Sequence, residues 1–182
     1  MAKIVISITG HRLLSVGQTE KIEPVVKTAI RHVIKSSIEQ YGTASFVALS
    51  PLAEGADTLF AKAALSLGIP LQILLPFERK EYLKDFTSDE TKHEFDRLYD
   101  AVSDENKRVL NQTQGNERND LFMDLGREIV DEADYLIAIW NEKESKGKGG
   151  TGDVVAYAMD RKKQILIINP EDEQPSVRFI DP

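Results

Sequence analysis

A glycine-rich segment carries the clearest chemical signal in this sequence. It reads Gly-Lys-Gly-Gly-Thr-Gly-Asp from Gly147 to Asp153, after an apolar run that predicts a strand and before a pattern that predicts a helix. Free N–H groups at a helix start favour an anion, and glycines let a phosphate approach the main chain. A phosphorylated ligand is therefore predicted to bind Lys148, Gly149, Gly150, Thr151 and Gly152. A solvated connection is the alternative, since the segment matches neither the Walker A order nor the dinucleotide fingerprint.

Two further loops with unusual chemistry follow predicted strands. One reads Thr9-Gly10-His11-Arg12 after the first strand, and the other runs from Ser50 to Asp57 after the second. Ligands bind beyond the carboxyl ends of the strands in a parallel sheet, so the three loops are expected to converge on one site. The ligand-binding residues predicted in these two loops are Gly10, His11, Arg12, Ser50, Glu54, Gly55 and Asp57.

Each of these side chains also has a structural alternative. The guanidinium of Arg12 can bind a phosphate with two hydrogen bonds, or it can form a surface ion pair. Glu54 and Asp57 stand at a predicted helix start, where acidic residues also act as caps, and Ser50 can cap the same helix. A lone histidine such as His11 is more often structural. The three histidines show no metal-ligand spacing, so no metal site is predicted. No other cofactor is predicted from the sequence.

Apolar periodicity supplies the elements that must position these loops. Apolar runs predict buried strands at 4–8, 45–49, 71–75, 135–140 and 164–168. Three- and four-residue spacing predicts helices at 22–41, 59–67, 121–133 and 154–159. One or two helices are expected within 78–106, a short strand at 108–110, and an edge segment or partner contact in the polar tail 171–182. The alternation predicts an α/β fold, one domain over 1–182 with a mostly parallel sheet and helices on both faces.

Composition narrows the class of protein and its partners. The chain has 182 residues, 41% hydrophobic content and a formal net charge of -7. That charge disfavours nucleic acid as a partner, since a general nucleic-acid binder needs a basic face. The sequence contains no cysteine, which excludes disulfides and agrees with a reducing cytosol. It shows neither signal-peptide architecture nor an apolar run of about 20 residues, so we expect a soluble cytoplasmic protein with no membrane contact.

Taken together, the three loops resemble the SLOG superfamily, which joins the DNA-processing protein A domain and the Lonely Guy enzymes. The run from Leu49 to Asp57 is similar to the DNA-processing loop Ser-Gly-x-Ala-x-Gly-Ile-Asp. The Gly10-His11-Arg12 loop is similar to a Gly-Ser-Arg loop in which histidine replaces serine. Gly147 to Asp153 resembles the Lonely Guy loop Pro-Gly-Gly-x-Gly-Thr-x-Glu. The resemblance implies a Rossmann-like nucleotide-binding domain that self-associates, with the tail around Phe179 as a contact for a twin subunit.

The same resemblance implies two catalytic candidates. Asp153 stands where the Lonely Guy loop has a glutamate that helps to cleave the bond between base and ribose, although aspartate is one methylene shorter. Arg127 lies on the helix that carries an arginine in those enzymes. The register differs, since aligning on Asp134 places the enzyme arginine near Leu125. An ion pair of Arg127 with Asp124 or Asp131 on the solvated face is the structural alternative.

Two functions from different classes follow from these observations. The first is a module that binds a nucleotide or a nucleotide-derived phosphorylated ligand, for instance as a sensor in a bacterial stress or defence system with a separate effector partner. The second is a phosphoribohydrolase, an N-glycosidase that cleaves the base–ribose bond of a nucleoside monophosphate. Both require nucleotide binding, which is the prediction that they share.

Overall fold

A computed structural model describes residues 1–110, 117–145 and 149–180 of the chain. Strands and helices alternate along most of it. The strands are β1 Ala2–Gly10, β2 Ala44–Ser50, β3 Leu71–Leu75, β4 Lys107–Val109, β5 Tyr135–Ile139, β6 Gln164–Ile168 and β7 Val177–Ile180. The helices are α1 Val16–Tyr41, α2 Ala56–Ser66, α3 Arg79–Tyr82, α4 Asp89–Asp100, α5 Arg118–Glu132 and α6 Thr151–Asp160, with short 3₁₀ turns at Leu83–Asp85 and Asp104–Asn106.

The strands form one sheet in the order β4-β3-β2-β1-β5-β6-β7. Strands β1 to β6 are parallel where they pair, and β7 runs antiparallel along β6. The predicted mostly parallel sheet is therefore confirmed, and the polar tail supplies the edge strand β7. Because β1 lies between β2 and β5, the carboxyl ends of these three strands are neighbours.

Alternate side chains of each strand face opposite sides of the sheet, and each side is covered by helices. Ile4, Ile6 and Ile8 of β1 belong to a core under α1 and α2. Leu136 and Ala138 of β5 belong to a second core under α5 and α6. Near-continuous apolar strands are the consequence of burial on both faces, and they are the reason that the pattern predicted this Rossmann-like class.

The predicted elements match the observed ones with small shifts at their ends. The charged segment 78–106 contains the two helices α3 and α4, and the predicted strand at 108–110 is β4. Helix α1 begins six residues earlier than its apolar pattern, at a capping box formed by Ser15 and Gln18. Within the described part of the chain, no helix is long and apolar enough to cross a membrane.

Candidate functional site

The loops that follow β1, β2 and β5 converge on one cavity of about 580 Å³ at the carboxyl edge of the sheet. Residues from all three loops line it, together with the inner side of α5 and the segment after β6. The lining residues of these loops and helices include Gly10, His11, Arg12, Ala53, Asp57, Tyr82, Phe122, Leu125, Gly126, Ile129, Ser145, Gly149, Gly150, Thr151 and Val154. The convergence follows from the strand order, because the edge of a parallel sheet gathers every loop that leaves it in the same direction.

The start of α6 opens into this cavity. Gly150 is the N-cap residue, with φ -73° and ψ 171°, and it has no side chain with which to cap the helix. Among the described residues, the N–H groups of Gly150 and Thr151 have no acceptor. Gly149 adopts φ +82° and lies against α5, so that a side chain there would meet the backbone N of Met123 at 2.8 Å. Lys148, the predicted mobile cation, lies outside the described residues.

Asp153 turns toward the glycine loop and is not among the described residues that line the cavity. Its Oδ2 accepts the N–H of Gly149 at 3.0 Å. Its own N–H donates to Oγ of Ser145 at 3.0 Å. Gly152 packs against the same segment, since an added side chain would meet Oγ of Ser145 at 3.0 Å. Asp153 therefore holds the shape of the loop.

Arg127 also lies away from the cavity. Its guanidinium pairs with Asp124 at 3.3 Å, and about half of its side chain is exposed (51%). Helix α5 presents Phe122, Leu125, Gly126 and Ile129 to the cavity, at the three- and four-residue spacing of one helix face. Arg127 follows Gly126 and so points about 100° round the helix. The structural alternative for Arg127, an ion pair on the solvated face, is the arrangement found.

The start of α2 is closed by the loop after β1. Gly55 adopts φ +84°, and a side chain there would overlap the carbonyl oxygen of Arg12. The carbonyl oxygen of His11 accepts the N–H of Ala56 at 3.1 Å. Gly10 packs in the same way, since a side chain there would overlap the methyl group of Ala56. These two glycines allow the loop after β1 to pack closely on the start of α2.

The side chain of Arg12 is used mainly to join loops. Its Nη2 donates to Oε1 of Glu54 at 3.2 Å and to the carbonyl oxygen of Asp85 at 2.6 Å. Glu54 is buried and accepts from N and Oγ1 of Thr87, at 3.1 and 2.9 Å. Arg12 still lines the cavity, and its buried Nε has no partner in the described structure. Arg12 and Glu54 bind each other and also bind Asp85 and Thr87. They therefore hold the segment after β3 against the loops that follow β1 and β2.

Ser50 and His11 hold neighbouring backbone. Oγ of Ser50 is buried, donates to the carbonyl oxygen of Asp57 at 3.2 Å and accepts the N–H of Leu52 at 3.1 Å. Nε2 of His11 accepts the N–H of Asn141 at 3.1 Å, which requires this nitrogen to be unprotonated. Ser50 acts within its own loop, whereas His11 joins the loop after β1 to the loop after β5.

Asp57 and Tyr82 form the polar part of the inner wall. Asp57 is 7% exposed, and its Oδ2 accepts the N–H of Ala53 at 3.2 Å. Burial raises the pKa of Asp57 from 3.8 to about 7, an effect that the Ala53 N–H and the charge of Arg12 reduce only in part. Burial and the neighbouring Asp57 also raise the pKa of Tyr82 well above 10. Tyr82 is a cavity residue that the sequence motifs did not predict.

Comparisons with known proteins place this geometry among solved structures. No protein-family model matches the sequence, and no curated protein matches it either. The structure is similar to DNA processing protein A from Streptococcus pneumoniae, with a TM-score of 0.55 and 20% identity over 90% of this chain and 50% of that one. It is also similar to DNA processing protein A from Helicobacter pylori, with a TM-score of 0.57 and 15% identity over 95% of this chain and 68% of that one.

The chain has the fold of DNA processing protein A. The resemblance to the SLOG superfamily is thereby confirmed as a shared fold, and the chain spans half the length of the pneumococcal protein. The Helicobacter pylori structure is one of single-stranded DNA binding. The argument that a net charge of -7 disfavours nucleic acid as a partner is therefore wrong. A net charge averages the whole surface and does not describe the field inside one groove.

Proposed function

We propose that the cavity binds a nucleotide or a nucleotide-derived phosphorylated ligand, with its phosphate at the start of α6. The observation that carries this proposal is the start of α6, which faces the cavity and where the N–H groups of Gly150 and Thr151 have no acceptor among the described residues. A helix of ten residues adds its dipole to these donors, and the combination favours an anion.

The remaining walls suit the base and sugar of such a ligand. Phe122, Leu125, Ile129 and Val154 give the cavity an apolar side. A volume of about 580 Å³ lies within the range of about 300–1,000 Å³ that is usual for small-molecule sites. A largely apolar cavity with a few convergent polar groups binds a ligand by packing and orients it by hydrogen bonds.

Binding without hydrolysis is the better-supported form of this function. Alignment on Asp134 puts the arginine of the Lonely Guy enzymes near Leu125, which presents an apolar side chain to the cavity. The carboxylate of Asp153 is engaged by the N–H of Gly149. A hydrolase of that type needs a carboxylate close to the ribosyl cation that develops in the transition state. We therefore place the protein with ligand-binding modules, as a sensor that acts through a separate partner.

The proposal is tested by titration calorimetry with inorganic phosphate, AMP and a short oligodeoxynucleotide. Gly150→Val should weaken AMP binding at least about tenfold, because a branched side chain at the helix start blocks approach to the N–H groups. The backbone of Gly150, at φ -73°, is open to any residue, so folding should be retained.

Gly17→Val is the matched control, since nothing lies within 4 Å of a side chain added at that exposed helical position. Equal AMP affinity for Gly150→Val and wild type would contradict the proposal. Binding of the oligodeoxynucleotide alone, lost in Gly150→Val, would show that the phosphate belongs to a single strand and that a free nucleotide is not the ligand.

A further inference from the structure

The inner wall of the cavity holds a buried carboxyl group that the phosphate site does not use. Asp57 lies in the first turn of α2, 7% exposed, and lines the cavity together with Tyr82. Its Oδ2 accepts the N–H of Ala53. Its other oxygen, Oδ1, is therefore the one available to a ligand. An inference about this group rests on the proposed nucleotide function.

Few charges reach Asp57 from the elements packed around it. The guanidinium of Arg12 is the one cation that acts on it among the described residues, and that group is engaged by Glu54 and by the carbonyl oxygen of Asp85. Glu54 and Asp85 bring further negative charge to this part of the wall. The surroundings therefore penalise the ionised form of Asp57 and leave it without an ion-pair partner.

Among the described residues, the cation Lys143 also lines the cavity, but it pairs with Glu171 and does not compensate the charge of Asp57. Tyr82 contributes a phenol, and His11 engages Nε2 with the N–H of Asn141. Helix α5 presents Phe122 and Leu125, and α6 presents Val154. A carboxyl group buried among such neighbours is held protonated more readily than in water, because desolvation disfavours its anion.

One cavity connects Asp57 with the phosphate site. Asp57 follows β2 and the phosphate site precedes α6 after β5, with β1 between these strands. Asp57, Gly150 and Thr151 all line the same cavity of about 580 Å³. A nucleotide anchored by its phosphate at Gly150 can therefore direct the edge of its base toward Asp57.

We propose that Asp57 carries a proton in the bound state and donates it through Oδ1 to an unprotonated ring nitrogen on the Watson–Crick edge of the base. Adenine and cytosine offer such an acceptor, whereas guanine and uracil carry an N–H at the corresponding ring position. The site thus selects nucleotides of adenine or cytosine, and it binds them more tightly as the pH falls through neutrality. Ionised Asp57 presents only acceptors and therefore repels that unprotonated ring nitrogen.

The test measures AMP and UMP dissociation constants for wild type and Asp57→Asn between pH 6 and pH 8. The amide of the variant donates a hydrogen bond at every pH, and the titration of the ligand phosphate cancels in the ratio of the two proteins. For AMP, the ratio of wild-type to variant Kd should rise about tenfold over this range. For UMP, wild type should bind at least about tenfold more weakly than AMP at pH 6.

A pH-independent ratio, with AMP bound normally, would overturn the inference and leave the proposed function intact. Absence of AMP binding by wild type at every pH would overturn both. The ligand-free protein supplies a separate measurement, because the ¹³C resonance of the Asp57 carboxyl should titrate with a midpoint near pH 7. A midpoint below pH 5 would also overturn the inference.

Discussion

The starts of α2 and α6 are built from the same local parts and end up with different roles. Each helix follows a glycine N-cap, at Gly55 or Gly150, with no side-chain cap. Each has an aspartate in its first turn, and that carboxylate accepts the N–H of the residue four positions earlier. Asp57 bonds to Ala53 at 3.2 Å, and Asp153 bonds to Gly149 at 3.0 Å.

The difference lies in what covers each helix start. The backbone of His11 and Arg12 packs on the start of α2, and the carbonyl oxygen of His11 takes the N–H of Ala56. The start of α6 faces the cavity with donors that have no acceptor among the described residues. A glycine and an aspartate at a helix start therefore define its local geometry. Whether that start binds an anion is decided by the neighbouring loop.

The largest effect on stability is expected from a substitution at the start of α2, which the loop after β1 covers. Gly55→Ala places a methyl group against the carbonyl oxygen of Arg12, at a residue with φ +84°. Strain and overlap add, so the free energy of unfolding should fall by about 3 kcal/mol or more. Urea denaturation measures this loss. Gly17→Ala is the control, and it should be neutral or stabilising by up to about 1 kcal/mol because the position is helical and open. A loss below about 1 kcal/mol for Gly55→Ala would contradict the described packing.

The next effect separates the two aspartates through the pH dependence of stability. The pKa of Asp57 is about 7 when folded and about 3.9 when unfolded. The unfolded chain thus loses this proton first, so the free energy of unfolding falls as the pH rises from about 4 to 7. Asp57→Asn removes this term and should be more stable than wild type at pH 8, by about 2–4 kcal/mol, with no such advantage near pH 4.

Denaturation of both proteins at several pH values provides the measurement, and Asp153→Asn provides the matched control at the open start. Parallel curves for wild type and Asp57→Asn would show that Asp57 is ionised in the folded protein near pH 7, against the effect of its burial.

The smallest effect is expected at Asp153. The oxygen of an asparagine can still accept the N–H of Gly149, so Asp153→Asn should cost less than about 1 kcal/mol of stability and change AMP affinity by less than about threefold. Neither protein should release free base from nucleoside monophosphates, as followed by chromatography. Release of base by wild type that is lost in Asp153→Asn would instead make Asp153 catalytic, since loss of a carboxylate that acts in the transition state is felt in turnover.

Much of the fold was predictable because burial on both faces of a parallel sheet leaves a strong apolar pattern. The convergence of the loops at Gly10, Gly55 and Gly150 was predictable too, since parallel strands with this order deliver their ends to one edge. The role of each glycine was not, because it depends on backbone from a different loop. Gly55 contacts Arg12, which is 43 positions away along the chain.

The cavity walls differ from the sequence prediction at two residues. Tyr82 reaches the cavity from a charged segment whose path over the sheet edge is set by the contacts of Arg12 and Glu54 with residues 85 and 87. Arg127 was a candidate because its helix carries an arginine in the Lonely Guy enzymes, although the register differs, and one helical step separates it from the cavity-lining face of α5. A helical count from Leu125 would have placed Arg127 on another face.

The central place of β1 also bears on how the protein reaches its native state. One edge of β1 pairs with β2, about 42 residues later, whereas the other edge pairs with β5, about 130 residues later. The second pairing closes a long loop and forms slowly relative to the first. During synthesis, β1 to β4 can associate while the other edge of β1 remains unpaired until β5 emerges. An open apolar edge of this kind is where a nascent chain aggregates or recruits a chaperone.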